Sequence, residues 1–141
     1  MNSNNDIWIV QRILRYILAL ILGGVVFLLI SFLDILFIEK ISPQSLEILL
    51  GNYVMPFIKG FIYTYVVMKI SIGQKGRIIM GLISVCFIIF FILGSYYYEI
   101  QNLPIFYRLL GNYTTIIGSL LSFIMGCKFL TDKKKLNSTV N

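Results

Sequence analysis

The pentapeptide Leu-Leu-Gly-Asn-Tyr occurs at residues 49–53 and again, sixty positions later, at residues 109–113. An ungapped alignment at the same offset continues upstream, where a Val, a Phe and a Glu also recur. Internal repeats reveal the architecture of many chains, and duplication about an axis along the bilayer normal is a known way to build membrane bundles. We therefore interpret the chain as a tandem duplication of a helical hairpin, with repeats at about 15–70 and 75–130.

The composition is that of an integral membrane protein. Of 141 residues, 58% are hydrophobic and only 13% are charged, whereas a soluble domain has about 25% charged residues. The net charge of +6 comes from cations that flank apolar segments, which indicates membrane topology rather than a nucleic-acid surface. A bias toward Ile, Phe, Tyr, Asn and Lys is typical of an AT-rich bacterial gene, so we expect a bacterial inner membrane and no nucleic-acid partner.

Four apolar segments are each long enough to cross the hydrocarbon core, which requires about 20 helical residues. The predicted fold class is an all-α four-transmembrane-helix bundle built as two tandem parallel hairpins. It occupies residues 12–130, between a cytoplasmic segment at 1–11 and a basic cytoplasmic tail at 131–141. The predicted spans are at about 13–38, 46–68, 78–98 and 104–129.

The distribution of cations beside these spans predicts the orientation. Cations concentrate on the cytoplasmic side of membrane proteins, so both termini are predicted to be cytoplasmic. The two cations on the opposite side are Lys40 and Arg108. The nine on the side of the termini are Arg12, Arg15, Lys69, Lys75, Arg77, Lys128, Lys133, Lys134 and Lys135.

Lys59 is the main anomaly, because it lies ten residues before Lys69, about 15 Å into the predicted span. An intramembrane charge is costly and commonly marks a functional site. Its candidate counter-charge is Asp34, expected about two turns further out. The alternative interpretation is that both charges lie at a subunit contact or reach the interface along their stems.

Other polar residues could line a pathway together with Lys59. Helical spacing places Tyr63 on its face, and the repeat places Ser119 at the equivalent position in the second hairpin. Asn52 and Asn112 recur in the two pentapeptides. They could line a vestibule, or they could bridge helices by hydrogen bonds, which is the interpretation we favour.

The fourth span contains a face of small residues, which lets another helix approach closely. Helix packing is its expected role, against a helix of the same chain or of a second copy. A bundle of four spans is thin, so we expect a homo-oligomer. The residues of this face are Gly111, Thr115, Gly118, Ser122 and Gly126.

The sequence contains no set of residues typical of an enzyme. It has no histidine, the commonest general base and metal ligand. Cys86 and Cys127 both lie in apolar segments, where neither a zinc site nor a structural disulfide is expected. We expect no catalytic residue, no metal and no cofactor.

Three functions are compatible with these features. The first is a self-associating membrane subunit that serves as a sensor or anchor for a cytoplasmic protein partner, for example in bacterial phage defence or immunity. The second is a small channel or transporter for an anionic solute, using Lys59. The third is a holin-like pore. Partner-docking candidates for the first function are Lys75, Arg77, Lys133, Lys134 and Lys135.

Overall fold

The computed structural model describes residues 3–41, 49–97 and 111–139, and within these ranges it contains four α-helices and no strand. A π-helical turn, Leu50–Val54, leads directly into the second helix. The prediction of an all-α protein with four helices is confirmed. The helices are α1 (Ser3–Ile41), α2 (Met55–Ile70), α3 (Gln74–Tyr97) and α4 (Tyr113–Thr139).

Three of the helices are long and apolar enough to cross a membrane, over Ile7–Leu36, Gln74–Tyr96 and Tyr113–Leu130. Large apolar side chains cover the outside of the bundle; Phe90, for example, is 79% exposed. Among the described residues, buried polar side chains outnumber buried hydrophobic ones. An apolar exterior around a polar interior suits lipid as the solvent, so the chain is a membrane protein.

Helix α2 is the centre of the bundle and packs against the three other helices. It runs antiparallel to α1, since Phe27 contacts Tyr63 and Tyr16 reaches Ile72. It is also antiparallel to α3. It is parallel to α4, because contacts between these two helices advance together along both. Helix α1 packs mainly against α2, which leaves much of its surface open.

The π-helical turn lies immediately before Pro56, at the start of the second helix. The Met55 N–H donates to the Leu50 carbonyl, five residues back, so the wide turn ends next to the proline. Proline has no N–H to donate, and π-helix occurs mostly as a single turn inside an α-helix, as here. Pro56 then occupies the first turn of α2, where proline is tolerated.

Glycines bring α2 and α4 into backbone contact. A β-carbon at Gly60 would collide with the Thr115 carbonyl, and one at Gly118 would collide with the Phe57 carbonyl. Gly126 leaves room for the Met68 side chain in the same way. The small-residue face of α4 therefore packs against α2 of its own chain. Of the two expected partners for this face, a helix of the same chain or of a second copy, the structure has the first. The contact gives no support for self-association through this face.

Helices α1 and α4 both have boundaries that differ from those expected from the sequence. Helix α1 begins at Ser3 rather than near residue 13; the apolar residues that precede Arg12 continue the helix. Helix α4 begins at Tyr113 rather than at 104, because Gly111 has a φ of +80°. Residues 104–110 lie outside the described part, and α4 continues to Thr139.

The two pentapeptides consequently have different conformations. Residues 50–53 of the first copy belong to the π-turn that continues into α2. In the second copy, Gly111 and Asn112 are not helical and α4 starts at the tyrosine. The recurrence in sequence is therefore not a recurrence of local backbone structure.

We expect Gly60→Ala to lower the free energy of unfolding by about 1–3 kcal/mol, the usual cost of overpacking. The added methyl group would meet the Thr115 backbone, which can move only with the helix. SDS-induced unfolding followed by circular dichroism measures the effect.

Gly24→Ala is the matched control, because no atom lies within 4 Å of the position that its β-carbon would take. Alanine is favoured over glycine in helices by about 1 kcal/mol, so this variant should be unchanged or more stable. Equal stabilities of the two variants would contradict the close contact.

Candidate functional site

Lys59 of α2 and Asp34 of α1 form a buried ion pair. The Lys59 Nζ donates to the Asp34 Oδ2 at 2.7 Å. The side chains are 0% and 3% exposed. The expectation that the two residues lie at a subunit contact or reach the interface is not what the structure has, since the pair is enclosed within one chain.

The expected depth difference of two turns between these residues is wrong. Phe27 lies beside Tyr63, with ring centroids 6.2 Å apart. Helices α1 and α2 are antiparallel, and Asp34 comes seven residues after Phe27. It therefore lies level with the residue seven positions before Tyr63, which is Pro56. Lys59 is then only about 4.5 Å lower along the axis, which its stem spans. Helix α1 continues past its predicted end to Ile41, so Asp34 lies further from the end of its helix than the predicted span implied.

The pair connects α1 to the centre of the bundle. A charge-assisted hydrogen bond of this length is among the stronger polar contacts. Removal of one partner from a buried ion pair leaves an uncompensated charge and costs several kcal/mol. Since α1 has few contacts with helices other than α2, the ion pair has a large influence on where α1 lies.

A cluster of hydroxyl groups joins the other three helices. Thr64 of α2 and Ser119 of α4 share a hydrogen bond of 2.6 Å. Ser84 of α3 donates to the Thr64 Oγ1 at 3.3 Å and lies within 2.7 Å of the Gly81 carbonyl. All three hydroxyl residues are fully buried. The cluster lets polar side chains stabilise helix contacts in an apolar solvent.

Sequence reasoning selected Ser119 but missed its partner Thr64 and also Ser84, which bonds to Thr64. The repeat was informative for Ser119, because its equivalent, Lys59, is also fully buried. The signal for Thr64 and Ser84 was weaker. It consists only of the fact that each of two neighbouring antiparallel helices has a hydroxyl residue at the same depth. Depth could have been estimated from the turn between α2 and α3.

Two hydroxyl groups of α4 are buried without a hydrogen-bond partner among the described residues, those of Thr115 and Ser122. Thr115 lies beneath an apolar cleft between α1 and α3, with a volume of about 200 Å³. Ser122 borders a second cavity. Unpaired buried hydroxyls are uncommon in proteins, so each marks a place where a further polar group could bind.

The asparagines bridge the two pentapeptides. The Asn112 Nδ2 donates to the Asn52 carbonyl at 2.6 Å. The Asn112 Oδ1 accepts from the backbone N–H and the hydroxyl of Thr114, at 2.9 and 2.6 Å, as an N-cap residue does. The two asparagines thus have unequal roles, and the contact is the helix bridge that we favoured over a symmetric vestibule.

Tyr63 is a packing residue in this structure. Its ring is 4% exposed and lies between those of Phe27 and Phe87. The pathway candidates are therefore not brought together on one surface. Lys59 pairs with Asp34, Ser119 with Thr64, and Asn112 with Asn52.

We call the end of the bundle that includes the α2–α3 connection, residues 71–73, the basic end. Lys75 is exposed there. Arg77 is partly buried, and its Nε donates to the Ser71 carbonyl at 3.1 Å. Of the two docking candidates in this region, only Lys75 has an exposed side chain. The side chains of Lys133, Lys134 and Lys135 lie outside the described part.

No family model, curated protein or solved structure matches the chain. Within the described ranges, no three His, Cys, Asp or Glu side chains could hold a metal ion together.

We expect Lys59→Met to lower the free energy of unfolding by about 3–5 kcal/mol, because it leaves the Asp34 carboxylate buried without its counter-charge. The double variant Lys59→Met with Asp34→Leu should recover most of this loss, since an apolar pair leaves no charge unpaired. Thermal unfolding in detergent and SDS titration both measure the difference.

Lys75→Met removes an exposed cation instead and is the control, with an expected change below about 1 kcal/mol. If the double variant were no more stable than Lys59→Met, the pairing would not be the source of the loss.

Proposed function

We propose that this protein is a non-enzymatic multi-pass subunit of a bacterial inner membrane, and that it anchors a cytoplasmic protein partner at its basic end. The observation that carries the proposal is the contrast between a bundle interior whose polar groups largely bond one another and an end from which cations and helices project.

The orientation is supported by where the structure gathers the described cations. With Lys59 set aside, every cation whose side chain the structure describes lies toward the basic end, because Tyr16 reaches Ile72 and Gln74 reaches Leu130. Lys40 lies near the other end of α1. This grouping agrees with the positive-inside rule and favours cytoplasmic termini. Helix α2 with its π-turn covers residues 50–70, about 32 Å of helix, which is sufficient for a fourth span.

The topology of two tandem parallel hairpins is supported by the contacts of α2 with α4. These helices are parallel, and residues sixty apart meet in the Asn112–Asn52 bond. Helix α2, the second helix of the first hairpin, and α4, the second helix of the second hairpin, therefore lie at matching depth.

The docking role is supported by two helical projections. Tyr16 is level with Ile72, yet α1 begins at Ser3, about 20 Å further along its axis. Leu130 is level with Gln74, yet α4 continues to Thr139, about 14 Å beyond. A projection of α4 that carries three consecutive lysines suits an acidic partner surface, since complementary charge guides association.

The alternatives from the sequence have less support. An anion pathway would use the charge of Lys59, but Asp34 compensates that charge at 2.7 Å, so a solute gains little attraction. Self-association could still occur through the open surface of α1. The holin-like pore stays a prediction, which rapid loss of membrane potential on overexpression would favour. A role as a membrane sensor in phage defence or immunity extends the proposal on the basis of size and composition alone.

We expect a cysteine at position 75 to react with a membrane-impermeant maleimide in inside-out vesicles and to be protected in intact spheroplasts. The variant is Lys75→Cys in a chain that also carries Cys86→Ser and Cys127→Ser. Tyr53→Cys in the same background is the matched position at the opposite end, 46% exposed, and should show the reverse pattern. Labelling of position 75 from outside the cell would overturn the orientation.

We expect the joint substitution of Lys75, Lys133, Lys134 and Lys135 by Gln to weaken the retention of a copurifying cytoplasmic protein by about tenfold or more, because complementary charge is removed. Gln rather than Glu is chosen so that the remaining cations still set the topology. Pull-down of tagged protein with quantitative mass spectrometry measures retention.

Lys40→Gln, at the opposite end, is the control for the loss of a cation and should leave retention unchanged. Partner retention that survives the four substitutions would argue against docking on these lysines.

A further inference from the structure

A cavity of about 360 Å³ opens at the basic end, between α2 and α4 and beside the first turn of α3. Its walls are mostly apolar, with Met68, Phe129 and Leu130 among them. Two cations, Lys69 and Arg77, lie at its border. A volume of this order is typical of small-molecule sites in proteins.

The cations leave donors available to a ligand. Lys69 is exposed, and its Nζ lies 5.3 Å from the centroid of the Tyr65 ring. Arg77 uses its Nε in the bond to the Ser71 carbonyl, which is one of five guanidinium N–H donors. Among the described side chains that line the cavity, two are cations and none is a carboxylate, so the described lining favours an anion.

Ser122 is the second and independent observation. It is 3% exposed and borders the same cavity. Its hydroxyl has no hydrogen-bond partner among the described residues. Because Met68 contacts Gly126, Ser122 lies one helical turn, about 6 Å, deeper than the level of the cations. The site therefore has charge at its mouth, a lone donor deeper in, and apolar walls between them.

We propose that this cavity binds one anionic phospholipid, with its phosphate between Lys69 and Arg77. The Ser122 hydroxyl then donates to an ester carbonyl, which in a phospholipid lies a few ångströms below the phosphate. The first part of an acyl chain packs on Met68 and Phe129. The order of charged, polar and apolar groups in the cavity follows the order of groups along a phospholipid. This inference does not depend on the proposed cytoplasmic partner.

The test uses the full chain in nanodiscs that contain equal amounts of phosphatidylglycerol and phosphatidylcholine with identical acyl chains. Native mass spectrometry after gentle release counts the lipids that the protein retains. Two cations near an anionic headgroup predict a preference for phosphatidylglycerol of about 30-fold. Lys69→Gln with Arg77→Gln should reduce this preference to about onefold.

Lys75→Gln is the matched control, because it removes a neighbouring cation that does not border the cavity, and it should keep the preference. Ser122→Ala should retain the headgroup preference but lower occupancy by about threefold, in line with the loss of one hydrogen bond. Equal retention of both lipids by the unaltered chain, or an undiminished preference in the double variant, would overturn the site.

A second arm adds inorganic phosphate at 10 mM before release. Displacement of the lipid by free phosphate would overturn the assignment of a lipid occupant, whereas unchanged retention supports it. The variants that test partner docking change Lys75 and residues 133–135 and keep Lys69 and Arg77. The docking proposal and the lipid-site proposal can therefore fail independently.

Discussion

The ammonium of Lys59 and the carboxylate of Asp34 lie 2.7 Å apart and are almost entirely enclosed by protein. Neither charge would be stable alone in this environment, and the attraction between them is strong only while both helices keep their places. Helix α1 has most of its contacts with α2, so its position depends heavily on this pair. The same contact explains how a chain can keep a lysine in the middle of an apolar segment. The charge is neutralised inside the protein and does not face lipid.

Around this pair, the bundle is held together by small residues and hydroxyl groups more than by large apolar side chains. In a bilayer, burial of an apolar side chain between helices gains little, since lipid is equally apolar. Close backbone approach and interhelical hydrogen bonds take its place. Gly60 and Gly118 provide the approach between α2 and α4. Thr64, Ser84 and Ser119 provide bonds across three helices.

The interior and the basic end have different characters. In the interior, most of the buried polar groups named above bond one another, so little remains there to attract a solute. At the basic end, Lys75 faces outward while Arg77 turns toward Ser71 and the nearby cavity. The two residues are close in sequence, but Lys75 belongs to the exposed surface of the basic end and Arg77 to the border of the cavity. Ser122 connects that end with the core, because it lies on the packing face of α4 and also borders the cavity.

Local sequence was enough to predict the class of protein, the number of helices and the residue, Lys59, that needs an explanation. These properties follow from hydropathy and charge summed over short windows, and such sums do not depend on which helices meet. The small-residue face of α4 was likewise visible from its four-residue spacing.

The partners of these residues were settled only by tertiary structure. Asp34 was a candidate for Lys59, but its depth was misjudged because it was counted from a predicted helix end, whereas side-chain contacts set the register of two antiparallel helices. The two pentapeptides are identical in sequence, yet one forms a π-turn before Pro56 and the other a capped helix start after Gly111. Which side of a helix faces which neighbour depends on rotation and register, and both arise from packing the whole chain at once.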